Sequence, residues 1–171
     1  MKITKLPLTI IFLLLLTSSA LSVQTNTSSV ENNLYYRALF ASLEKMDKEW
    51  GKFADTAMGS RIRINYHNMI VEKNPYITER LPDQHGDYRV EYLESKELID
   101  RYKMLRKEFD ILVAYPMVNE GERLKITFNV YWMSYKKSHL FYALSDWSTV
   151  YFCYDCGKRK YVVDEIKLGG I

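Results

Sequence analysis

Two cysteines, three histidines and four prolines are spread over 171 residues, and each scarcity excludes something. Two thiols are half of a tetrahedral zinc site, and His67, His85 and His139 are not spaced as a ligand pair, so no metal centre is expected. The chain has no G-x-S-x-G, no H-E-x-x-H and no Gly-rich phosphate loop, and therefore no ready-made hydrolase, zincin or nucleotide chemistry. No charge of one sign dominates. With 24 Lys and Arg against 21 Asp and Glu, a nucleic-acid or anionic-membrane partner has no electrostatic basis. Internal repeats, linkers and low-complexity blocks are absent as well.

Long apolar runs are missing except at the start. Lys2 and Lys5 precede the run Leu6–Leu16, and Thr17-Ser18-Ser19-Ala20-Leu21-Ser22 then offers a small-residue cleavage site before Val23. That apolar core is about half of the ~20 residues a spanning helix needs. Residues 1–22 are thus predicted to be a cleavable signal peptide, and residues 23–171 a single exported domain. It would be periplasmic in a bacterium and otherwise secreted, with no stable membrane insertion after cleavage. Losing Lys2 and Lys5 lowers the formal charge from +3 to +1. Asn26-Thr27-Ser28 matches a glycosylation sequon, relevant only in a eukaryotic host.

Aromatic residues are abundant: 14 Tyr, 7 Phe and 3 Trp, a composition that needs a folded core. Ser28-Ser29-Val30-Glu31 reads as a capping box. Behind it, Tyr36, Leu39, Leu43, Met46, Trp50, Phe53 and Ala57 recur at three- and four-residue spacings, the stripe of a long helix stopped near Gly59. Arg61–Val71 has strand composition, Lys73–Gly86 is a Pro-containing loop, and Asp87–Leu93 alternates as a short strand. Ser95 is expected to cap a second helix striped by Leu98, Tyr102, Leu105 and Phe109. Four strands then follow, Ile111–Val118, Leu124–Tyr135, Leu140–Tyr154 and Lys160–Leu168. Their turns are too short for parallel crossovers, which makes them antiparallel neighbours.

A long helix, a strand, a short helix and a meander of long strands resembles the nuclear transport factor 2-like (cystatin-like α+β cone) superfamily. The resemblance is carried by the Tyr36–Ala57 and Leu98–Phe109 stripes and the closing strands Leu124–Tyr135, Thr149–Tyr154 and Tyr161–Leu168. It implies an α+β fold in which two helices pack on a curved, mostly antiparallel sheet around a conical pocket. The long Lys73–Gly86 loop departs from that pattern.

Three constellations are candidates for function. Cys153-Tyr154-Asp155-Cys156 reads as a disulfide across a hairpin turn, with free thiols, redox chemistry or metal binding as the alternatives. Asp146, within an apolar strand, is the best catalytic carboxylate for isomerase- or cyclase-type chemistry. Tyr131, Tyr142 or Tyr66 would be its donor, and His139 an alternative base. Ser145-Asp146 also reads simply as a bulge in an overlong strand. Finally, Tyr131, Met133 and Tyr135 alternate with Ile126, Phe128, Val130 and Trp132, so both faces of one strand are apolar or amphipathic. One face is expected to meet the helices. The other would meet a small apolar ligand, a protein partner or a second copy. The leading expectation is a non-catalytic binding module without a cofactor. A small-molecule enzyme and a structural homo-oligomer, such as a homodimer, are the alternatives.

Overall fold

The structure, a computed structural model, describes residues 33–50, 64–77 and 81–170. The leader 1–22, the Asn26 sequon, the Ser28–Glu31 box and the Phe53, Ala57 and Gly59 end of the first stripe lie outside these residues.

Helix α1 spans Leu34–Trp50. Asn33 caps it: its Oδ1 accepts the Tyr36 N–H at 3.1 Å and its carbonyl accepts the Arg37 N–H at 3.1 Å. Ala38, Leu39, Phe40, Leu43 and Met46 are buried, so the expected stripe is the core-facing one. Strand β1 is Asn68–Glu72, shorter than the expected Arg61–Val71, because a turn in which Asn68 N–H donates to the Asn65 carbonyl intervenes. Within the long loop lies β2, Gln84–His85, and β3 follows at Tyr88–Leu93. Helix α2 covers Ser95–Leu105. Its cap is Glu94, whose N–H donates to Glu97 Oε2 at 2.7 Å, and not Ser95, whose hydroxyl instead donates to Glu72 at 3.2 Å.

The predicted strand Ile111–Val118 is two strands, β4 (Phe109–Ala114) and β5 (Val118–Glu120). Pro116 lies between them and has no N–H to give a ladder. Then come β6 (Arg123–Lys136), β7 (His139–Asp155) and β8 (Lys160–Gly170). Lys137 and Ser138 both have positive φ (49° and 65°), which suits the two-residue hairpin joining β6 to β7.

The sheet is open and mixed, ordered β2-β3-β1-β4-β6-β7-β8, with β5 pairing the start of β6. The closing meander is antiparallel, as expected, whereas β1 is inserted parallel to both β3 and β4. Val130 faces Asp146 and Tyr131 faces Leu144, so Ser145 is the extra residue of a bulge. Its hydroxyl donates to the Val130 carbonyl at 3.1 Å.

Neighbouring residues along a strand point to opposite faces, and the two core clusters use alternate residues. Val71, Leu112, Ile126, Phe128, Val130, Val150 and Phe152 pack with α1. Ile70, Leu93, Ile111 and Met133 pack with Leu98 and Tyr102 of α2. The two helices therefore cover opposite faces, not one face as expected. Among the described residues no helix is long and apolar enough to cross a membrane.

Candidate functional site

On the α1 face, Asp146 of β7, Asp110 of β4 and Tyr66, just before β1, come together. Tyr66 is buried, and its hydroxyl donates to Asp146 Oδ2 at 3.4 Å. Burial, reinforced by the Asp146 charge, raises the Tyr66 hydroxyl well above the usual phenol range. Asp110 is pushed up to about 6 by burial and then by the charge of Asp146. Trp50 closes one side, its ring centroid 6.5 Å from that of Tyr66. A carboxyl that stays partly protonated near neutrality beside a phenol donor is suited to moving protons.

Of the residues expected to act with Asp146, only Tyr66 reaches it. Tyr142 projects from the opposite face, where its hydroxyl donates to Glu72 Oε1 at 3.2 Å. Burial and the Glu72 charge raise its pKa. His139 is exposed beside the β6–β7 turn, with Nδ1 2.7 Å from the Lys137 carbonyl. The Ser145 bulge separates these groups: it restarts the β7 alternation, so Tyr142 and Asp146, four residues apart, end on different faces. Asp110 was invisible to sequence reasoning, since a lone Asp ahead of an apolar run looks like a strand boundary.

The α2 face carries a tyrosine shelf. Tyr115 Oη and Tyr131 Oη are 2.6 Å apart, Asn129 Nδ2 donates to Tyr131 Oη at 2.9 Å, and the Tyr142 ring meets Tyr131 edge-on at 5.8 Å. Leu144 lies directly opposite Tyr131 across the ladder. Tyr115, Tyr142 and Leu144 are 38%, 38% and 36% exposed, so the shelf is open to solvent. The other two residues predicted for this face are covered. Met133 is fully buried under α2, and the Tyr135 ring packs on Tyr102 at 6.1 Å. A groove of about 570 Å³ near β1 and β3 is lined by charged and amide groups that include Arg89, Arg101 and Glu91.

Cys153 and Cys156 are both free, which corrects the expected disulfide. Strand β7 continues to Asp155, and Cys153 is held in the ladder opposite Val162. An extended chain advances ~3.3 Å per residue, so three residues separate the Cα atoms by roughly 10 Å, beyond disulfide reach. The turn covers residues 156–159, so it starts at Cys156 and does not lie between the two cysteines. Among the described residues no group of three His, Cys, Asp or Glu could hold a metal ion. No family model, curated protein or solved structure matches this chain.

Proposed function

We propose that this chain is an exported, non-catalytic binding module that takes a small apolar ligand or a protein partner on the α2 face of its sheet. The observation that carries this reading is the exposed shelf of Tyr115, Tyr142 and Leu144 around Tyr131. Phenol rings offer apolar area and a hydrogen-bonding rim at low entropic cost, which makes them common anchors at binding surfaces. Export rests on the Lys2–Ser22 leader. The cone-shaped nuclear transport factor 2-like architecture belongs to the same reading, supported by the order of elements from α1 to the antiparallel meander.

The test is a titration of the purified protein with an environment-sensitive apolar dye, before and after joint Tyr115→Ser and Tyr142→Ser substitution. Both side chains are more than a third exposed, so the melting temperature is expected to fall little while dye binding falls several-fold. Equal binding by the two proteins would remove this reading.

A second reading, an isomerase- or cyclase-type enzyme, is favoured by the Tyr66–Asp146 hydrogen bond and the raised Asp110 nearby. It expects Asp146→Asn to abolish turnover of an enolisable ketone while leaving dye binding unchanged. A wild-type protein that turns over no such ketone would retire it.

A further inference from the structure

The ends of the sheet are unequal. At one end β2 has two residues, and β5, which follows Pro116 and lies beside the start of β6, has three. At the other end β8 runs for 11 residues, and among the described residues its outer edge pairs with no strand. A long row of unpaired backbone groups is a template for one more strand. The short edges are blunted by their length; β8 is not.

We propose that two copies of this chain join edge to edge through β8, running antiparallel about a two-fold axis at Ile166. The side chains select both the occupant and the register. Residues directly opposite in an antiparallel pair share a face, and opposite charges there attract while like charges repel. Pairing about Ile166 sets Glu165 against the partner's Lys167, and by symmetry Lys167 against the partner's Glu165. Moving the axis to Glu165 or to Lys167 places like charges face to face. The register centred on Ile166 also brings the two Ile166 side chains together, extending the apolar cluster in which Ile166 already packs.

The reach of this pairing is bounded. Tyr151 faces Glu165 and Phe152 faces Val163, so Asp164 is an extra residue that breaks the alternation. Regular pairing about the axis therefore covers residues 165–167, a short seam centred on Ile166. Beyond the bulge, Arg37 of α1 donates to the Tyr161 carbonyl at 2.6 Å and so reaches that end of the strand from within the same chain. A self-complementary edge closes on itself. Once the two β8 strands pair, the β8 edge of each copy is used, so growth through this edge stops at the dimer.

The assembly uses an edge and not the tyrosine shelf, so it stands or falls separately from the function proposed above. Sedimentation equilibrium of the purified protein is expected to show a reversible dimer. Lys167→Glu should weaken it by roughly ten-fold or more, because each substitution acts at both symmetric pairs. The exchange Glu165→Lys with Lys167→Glu restores opposite charges across the axis and should recover the dimer. Within its own chain Glu165 also meets Arg123 at 3.2 Å and Lys167 at 3.5 Å, and Lys167 lies over the Tyr151 ring, so each variant is melted alongside to separate loss of these contacts from loss of the dimer. If the exchange variant does not fold, deuterium exchange on the wild type decides: the β8 amides facing away from β7 should slow as protein concentration rises. A wild type that stays monomeric to about 0.1 mM, a dimer indifferent to Lys167→Glu, or β8 amides indifferent to concentration would each overturn the proposal.

Discussion

At the scale of the residue, Asp110 is a carboxyl whose surroundings differ enough from water to show in a titration. Its folded pKa is about 6, against an ordinary value of 3.8. Between those values the folded protein holds a proton that the unfolded chain has lost, so stability falls as pH rises from about 4 to about 6. Below that window both states are protonated and the burial penalty vanishes; above it the penalty is full. Asp110→Asn should flatten this decline and stabilise the protein at pH 7.5 by about 1 kcal/mol, a figure held low because solvent reaches part of the side chain. Melting temperatures of the two proteins at pH 4.5 and 7.5 check it, and a gain at pH 4.5 as large as that at 7.5 would contradict the cause. Asp146 was legible in the sequence as a polar residue inside an apolar strand. Asp110 was not, because what distinguishes it is the approach of β7 and Tyr66, a tertiary matter.

Among the elements, α2 covers the smaller of the two core clusters. Leu98 is its single fully buried residue and packs against Leu93, Ile111 and Met133. Leu98→Ala should cost about 2–5 kcal/mol from lost burial and the cavity left behind. Detaching α2 would also uncover Met133 and Tyr135, so apolar-dye binding should rise even as the melting temperature falls. Long periodic segments were the legible ones: the strands β6, β7 and β8 lie within a few residues of the positions their patterns predict, and the described part of α1 buries the expected Leu39, Leu43 and Met46. Misplaced ends trace to local chemistry that outweighed pattern. Pro116 split one strand in two, Glu94 and not Ser95 capped α2, and the turn at Asn65 delayed β1. The α2 stripe was over-read: its roughly three turns bury only Leu98 fully, Leu105 is 40% exposed, and Phe109 lies beyond the helix at the start of β4.

For the whole molecule, stability rests on a sheet cored on both faces, with no covalent cross-link between the cysteines. Treatment with dithiothreitol should therefore leave the melting temperature unchanged. Titration under denaturing, non-reducing conditions should find two thiols per chain, and finding none would restore the cross-link. Composition and periodicity were enough to expect an α+β domain. They could not show which face each helix takes, because the central strands β4 and β6 carry apolar residues on both faces, and such a pattern is compatible with helices on either side.

The insertion of β1 between β3 and β4 has a consequence for how the chain assembles in time. The β6–β7 hairpin closes through a two-residue turn, and β8 joins it after a loop of similar brevity, so these contacts form with little loss of loop entropy. Strand β1 has no such neighbour. Its partners are β3, reached across the Lys73–Asp87 connection, and β4, reached only after α2 has been laid down. The meander is thus the natural nucleus, and the slot for β1 exists only after β3 and β4 have been brought alongside. The last stretch of chain to lock is then not the last to be synthesised but one near the beginning, which enters the centre of a sheet already built around its place.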